Sequence, residues 1–430
     1  MGPNRDAVWN ETEITRSFPE DGPPVKWRIP IGTGYAGPAV AEGRVYLMDR
    51  KQEMDDDGRP KINRDVKPPA FLGTERVFCV SAETGELIWE HEYDCPYQIQ
   101  YQNGPRTTPL IENGRCYVLG AMGDLFCFDA NNGDVLWHRN FPQEYGAKPP
   151  FWGWSNHPVI DGDHLYCTVG GEGSAVVAFD KNSGEELWKA LTAEEIGYAP
   201  PVIYQADGNK QLIAWLDTSV ESLDPLTGKG NWSMPFPERG APQRPVVTIM
   251  TPLFINSHLY VSNFYNGSLM CDVAADGSDA TKVWGAAAND GNHKQGLNIL
   301  MMTPFAMDGY LYGAAGMGQF RCINAKTGEV AWRDISPLSE RRPAAFATCF
   351  LVRNGDAFFI FNDSGDLIIA DLSPEGYKEL ARAKLLEPDG FARGRNVVWS
   401  HPAYADKKFF GRNESELICV DLAAEANQSK

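Results

Sequence analysis

Two of the seven histidines, His157 and His401, stand where aromatic and polar side chains crowd together. Phe151 to Pro158 reads FWGWSNHP, and Trp399 lies two residues before His401. An imidazole titrates near neutrality, so either histidine has the chemistry of a general base or a metal ligand. Trp154, Asn156 and Trp399 would stack on and hydrogen-bond a sugar or a flat aromatic ligand. Arg106 and Arg244 add guanidinium forks suited to carboxylate or phosphate. Thr251 and Thr303 add hydroxyls, and Tyr35 or Tyr198 a proton carrier. Taken together these groups would bind and polarise an acidic sugar. Each also has a plainer role, as a loop side chain bonded to backbone or an aromatic plug. The segment Asp55-Asp56-Asp57-Gly58 lacks the alternate spacing and the closing Glu of an EF-hand loop. No CxxC spacing occurs among the nine cysteines, so no metal site is expected.

The elements that position these residues come from a repeat. Its clearest copy is LFCFDANNGDVLW, Leu125 to Trp137: an apolar strand, an Asp, a turn closed by Gly133 and a second strand ending in Trp. Further copies end at Trp89, Trp188, Trp232 and Trp332, with looser ones at Trp284 and Leu380. A period of about 45 to 50 residues is that of a four-stranded propeller blade. Tight hairpin dipeptides precede each copy, among them Glu42-Gly43, Asn113-Gly114, Asp161-Gly162, Asp308-Gly309 and Asn354-Gly355. The expected fold is an all-β, eight-bladed propeller of four-stranded antiparallel blades. Its third strands fall near residues 77, 125, 176, 220, 268, 320, 367 and 417. The last blade lacks a fourth strand, and Val25 to Trp27 are expected to supply it and close the ring, leaving no open edge.

Residues 1–24 read as an extended N-terminal arm, 25–422 as one propeller domain and 423–430 as a polar tail. A formal net charge of −18 argues against nucleic acid as partner. No apolar run is long enough to span a bilayer as a helix. The repeated cysteines Cys79, Cys127, Cys322 and Cys419 read as small buried hydrophobes.

In such a disc the first-to-second and third-to-fourth turns share one face. Here they are uniformly tight, and every sizeable insertion falls on the other face, where function tends to sit. The connections between blades carry slightly more basic than acidic residues, against the acidic balance of the whole chain. The residue before each inner strand should ring the channel mouth: Gly37, Thr108, His157, Pro200, Thr251, Thr303, Thr348 and His401. His157 and His401 fall in blades three and eight, which are not neighbours, so a metal shared between them is not expected.

The AxxG turn and Trp spacing resemble the PQQ-like propeller repeat, shared by quinoprotein dehydrogenases and the outer-membrane assembly lipoprotein BamB. The opening GPNRDAVW followed by WRIPIGTGYAGPAV is similar to a group of exported bacterial repeat proteins. The resemblance implies a single PQQ-like propeller over 25–422, with Trp27, Trp89, Trp137, Trp188, Trp232, Trp284 and Trp332 as its structural tryptophans. It implies an exported, periplasmic or cell-envelope setting with the signal absent from this chain, a cytoplasmic one being the alternative. No lipobox cysteine precedes the domain. The adjacent cysteine pair and the haem-binding CxxCH of the dehydrogenases are missing, and none of their calcium ligands maps onto this sequence. No cofactor is therefore expected, pyrroloquinoline quinone with calcium being the one that the resemblance alone would suggest. The expected function is a non-catalytic, monomeric binding or scaffold propeller whose long-loop face holds a protein or glycan. The alternatives are a carbohydrate-active enzyme and, behind it, a quinone-dependent oxidoreductase.

Overall fold

The structure, a computed structural model, describes residues 2, 4–237, 244–287 and 295–424. The larger part of the polar tail, 425–430, and parts of the 233–250 and 285–302 insertions lie outside the described residues. Eight four-stranded antiparallel sheets make the propeller. Blade one runs through Ala39–Ala41, Arg44–Gln52, Gly73–Ser81 and Leu87–Asp94. Blades two to seven follow in chain order, from Leu110–Glu112 to Gly376–Lys384. Blade eight joins Ala403–Ala405, Lys408–Arg412 and Glu416–Asp421 to Val25–Pro30 from the other end of the chain.

Because blades stack face to face around the ring, their middle strands are covered on both sides and lose the alternation of a half-exposed sheet. Val45 to Met48, Val77 to Val80, Cys116 to Leu119 and Leu125 to Phe128 are apolar runs of that kind, buried throughout. In five blades the outer strand is buried at its tryptophan alone. In Val135–Asn140 only Trp137 is buried. All nine cysteines are buried free thiols.

The hairpin turns follow their dipeptides with one adjustment. Glu42-Gly43, Asn113-Gly114 and Asp308-Gly309 have both central residues at positive φ, as a type I′ turn requires. In blades three and seven the turn falls one residue later, at Gly162-Asp163 and Gly355-Asp356, with glycine first.

Most blades meet the next through a tryptophan. The Trp89 indole N–H donates to the Ala130 carbonyl at 3.0 Å and that of Trp137 to Lys181 at 3.1 Å. Trp27 reaches Ala82 at 3.1 Å across the junction between the last blade and the first. The turn glycine of the next blade lies flat on the ring: a Cβ added to Gly133 would stand 2.6 Å from Trp89, and one on Gly184 2.7 Å from Trp137. Trp232 differs, donating at 2.9 Å to Gln211 of its own blade. In blade seven the equivalent place belongs to Ala381, opposite Ile369; Leu380 is the extra residue of a bulge and is exposed.

The N-terminal segment enters the ring. Val8 bridges Arg353 on the inner strand of blade seven, Trp9 is buried, and Ile14 bridges Ala423 on the tight-turn side.

Candidate functional site

The short inner strands are too few in residues to fill the axis of an eight-membered ring, and they enclose a cavity of about 1520 Å³. Of the residues expected around its mouth, Thr108, His157, Pro200, Thr251, Thr303 and His401 line it. Gly37 instead packs against the His401 carbonyl, and Thr348 is buried, its N–H donating to Asp363 at 3.1 Å.

The two histidines meet although their blades are not adjacent. Their rings lie edge to face, centroids 6.4 Å apart. The backbone at Gly37 in blade one approaches so closely that an added Cβ would stand 2.4 Å from the His401 carbonyl. The Thr108 N–H donates to His157 Nε2 at 3.0 Å, which fixes the proton of the neutral ring on Nδ1. His401 packs on Phe350 at 4.1 Å. Burial pushes both down, His157 to about 4 with Arg5 adding to the effect, and His401 to about 3 with His157 adding. Both rings are neutral at physiological pH. Among the described residues no group of three His, Cys, Asp or Glu side chains is placed to hold a metal ion.

Arg106 lines the cavity and Arg244 does not. Arg106 donates to the carbonyls of Gln100, at 3.0 Å, and of Tyr101 and Gly104 in its own loop, with its guanidinium 5.2 Å from the Tyr35 ring centre. Arg244 bridges Glu194, Glu195 and Asp217 at 2.8, 2.9 and 2.8 Å, away from the cavity lining. Trp154 is fully buried against Phe141 with its indole on the Val169 carbonyl at 3.1 Å. Asn156 is also buried and donates to the carbonyls of Gly197 and Ala199. Thr251 N–H donates to Thr303 Oγ1 at 3.1 Å, linking blades five and six at the rim.

Trp399 does line the cavity, with its indole N–H 3.4 Å from Asp363. That carboxylate also takes Arg395 at 2.5 Å, and burial raises its pKa against the pull of Arg395. The residues that sequence reasoning missed are mostly aromatic. Trp152, not Trp154, faces the cavity, its ring 5.3 Å from that of Tyr198. Tyr101, Tyr265 and Phe346 join it, and Arg393 lies over Phe346 at 4.8 Å. Burial holds the Tyr35 and Tyr198 hydroxyls well above their ordinary pKa. Those loops have no periodicity from which an inward face can be counted. The mouth therefore offers ring faces, thioethers, hydroxyls and neutral imidazoles, with the Arg106 and Arg393 guanidiniums laid against the rings of Tyr35 and Phe346.

Calcium with a quinone needs a shell of oxygen donors that includes carboxylate. Asp6, Glu11 and Asp161 are the carboxylates lining the cavity among the described residues. Asp6 accepts from the Val8 amide, Glu11 from the amides of Asp406 and Lys407, and Asp161 pairs with Lys210 at 2.8 Å. These groups do not form a calcium set at the mouth.

A closed ring of four-stranded blades, most of them locked to the next through a tryptophan laid on a turn closed by glycine, defines a PQQ-like β-propeller. The chain belongs to the family described as outer membrane protein assembly factor BamB, whose model matches residues 73–334 and 217–428. It is 27% identical over 135 residues to the assembly factor BamB of Salmonella typhimurium, covering 31% of each chain. It is 28% identical over 150 residues to the quinoprotein ethanol dehydrogenase of Pseudomonas aeruginosa, covering 32% of this chain and 24% of that one. The chain thus spans less than a third of the length of these two relatives. The quinohemoprotein alcohol dehydrogenase of Comamonas testosteroni superposes with a TM-score of 0.60 over 99% of this chain and 80% of that one. At 13% identity that likeness is one of fold. Among the described residues no helix is long and apolar enough to cross a membrane.

Proposed function

We propose that this is a non-catalytic binding propeller of the cell envelope that holds a protein partner on its long-loop face, with the channel mouth as the anchor pocket. The observation that carries this reading is the chemistry of the mouth. Trp152, Tyr198, Trp399, Tyr101 and Phe346 present aromatic surface around a deep cavity. Of the arginines expected to read an acidic sugar, Arg106 serves the carbonyls of its own loop and Arg244 is taken up by Glu194, Glu195 and Asp217. Aromatic anchors in a preformed cavity are the usual centre of a protein interface. The names of the assembly-factor relatives point the same way, both for a protein partner and for an exported setting.

The test compares intact protein with Trp399→Ala and with Lys210→Ala on the opposite face. Intact protein and the lysine variant are expected to retain a common protein from a cell-envelope extract, and Trp399→Ala to lose it while keeping its melting temperature within a few degrees. A thermal-shift panel runs beside it, since ligand binding to the folded state raises the midpoint. A calcium-dependent shift with pyrroloquinoline quinone, or a shift with acidic oligosaccharides that His401→Ala removes, would overturn the proposal.

A further inference from the structure

The opposite, tight-turn end of the same channel carries a second site. Residues 7–11 lie there extended, joined to the inner strand of blade seven by one parallel bridge between Val8 and Arg353. The Trp9 N–H donates to the Arg353 carbonyl at 2.8 Å, and the Arg353 N–H to that of Ala7 at 2.9 Å. Asn354 Nδ2 reaches both the Trp9 and the Glu11 carbonyls at 2.7 Å. The Trp9 ring sits between Phe359 and Tyr404, with centroids 5.5 and 5.2 Å away. The Glu11 carboxylate accepts from the Asp406 amide at 2.8 Å and from that of Lys407, both in a turn whose positive φ aims its N–H groups outward.

This is the anatomy of peptide recognition by strand addition: backbone pairing for affinity, and a pocket and an anion clip for sequence. The occupant does not fit it perfectly. Arg5, Ala7 and Glu13 are held at φ of 56°, 57° and 59°, a left-handed conformation that costs non-glycine residues energy. The Trp9 Nε1 and Tyr404 hydroxyl are buried without a partner among the described residues.

We propose that blades seven and eight form a recognition site for an extended peptide carrying Trp two residues before Glu. Residues 7–11 fill it as an exchangeable ligand that closes the channel from the tight-turn side. The segment is tied to the outer strand of blade eight, so its effective concentration is about millimolar. A peptide in trans competes only when the tethered copy is weakened.

The experiment uses the full chain and a fluorescent peptide of residues 4–17, read by anisotropy. Wild-type protein is expected to show no saturable binding at about 100 µM, whereas the double variant Trp9→Ala with Glu11→Ala binds, and adding Asn354→Ala weakens that binding about tenfold. A folded double variant that does not bind, or wild-type protein that binds equally well, overturns the proposal. Hydrogen exchange on the wild-type chain gives a reading that needs no double variant. The amides of Trp9 and Arg353 should exchange by local opening, accelerated about tenfold by Asn354→Ala, while those of Ile360 and Ile368 stay unchanged. Exchange of all four only through global unfolding would show a fixed structural strand and sink the idea.

Discussion

The two channel histidines are held neutral, and this has a sign. Their folded pKa values, about 4 for His157 and about 3 for His401, lie below the ordinary histidine value. As pH falls through about 6.5 the unfolded chain takes up protons that the folded one refuses, so stability is lost at about 1.4 kcal/mol per pH unit for each group until the folded value is reached. Glu75, Asp363 and Glu414 are shifted upward by burial and act in the opposite direction, but they are common to wild type and variant. Urea midpoints for His401→Gln should therefore fall less steeply than wild type between about pH 6.5 and pH 4, by close to one proton; parallel curves would refute the assigned environment. Arg244→Ala leaves Asp217, whose side chain is 4% exposed, without its partner and is expected to cost about 1–3 kcal/mol in urea unfolding. Residue types were easy to read here and directions were not. FWGWSNHP announced an aromatic loop, but the choice between Trp152 and Trp154 turns on Gly153, whose φ of +74° swings the chain, so that one indole enters the core and the other the channel. Nor did the sequence warn that Arg50, Arg321 and Arg412 would be fully buried. Arg50 and Arg412 serve backbone carbonyls where neighbouring loops converge.

At the level of strands, a bulge sets the tryptophan. In every blade the register slips by one between the third and fourth strands beside the Trp position, as between Cys127, opposite Trp137, and Phe128, opposite Val135. The extra residue lets two neighbouring side chains, such as Val135 and Leu136, both face solvent while the Trp turns onto the next blade. Spacing alone showed that the Trp recurs, yet it did not show the bulge, because an inserted residue looks like any other strand residue. That is why Leu380 looked like the blade-seven equivalent when Ala381 holds the place. The turn glycines divide in two by what lies over them. Gly133→Ala must both hold φ of +79° and push into Trp89, an expected loss of about 2–4 kcal/mol. Gly114→Ala has a similar φ with nothing within 4 Å, an expected loss of roughly 1–2 kcal/mol. Chemical denaturation of the two variants side by side checks this; equal losses would mean that the glycine's contact with the ring carries no energy.

Across the whole molecule, what distinguishes a ring from a stack is that it has to be closed by the chain's two ends. The seam was the most legible part of the fold, because a last repeat with three strands and an isolated VKW at the other end leave one economical solution. Val25–Pro30 pairs with Glu416–Val420, and Trp27 then does for blades eight and one what Trp89 does for one and two, reaching Ala82 and lying over Gly85, where an added Cβ would stand 3.0 Å from the ring. In every other blade a turn joins the third strand to the fourth, whereas in blade eight Glu416–Asp421 and Val25–Pro30 are held by strand pairing, the tryptophan and side chains that reach from blade eight to blade one. Among the last are Lys408 to Glu83 at 2.5 Å and Arg412 to the Met48 carbonyl at 3.1 Å. Trp27→Ala and Trp137→Ala each remove a large buried ring and should each cost about 3–5 kcal/mol. Their consequences should differ in place. Loss of Trp27 loosens the one outer strand that no hairpin turn holds to its own blade, so protection from hydrogen exchange should fall first in 25–30 and 408–421 and spread from the seam. Loss of Trp137 should leave those amides protected up to the main transition. If the two variants lose protection in the same order, the seam is no weaker than any other junction, and closure would rest on the stacking of blades around the ring more than on the strand that completes it.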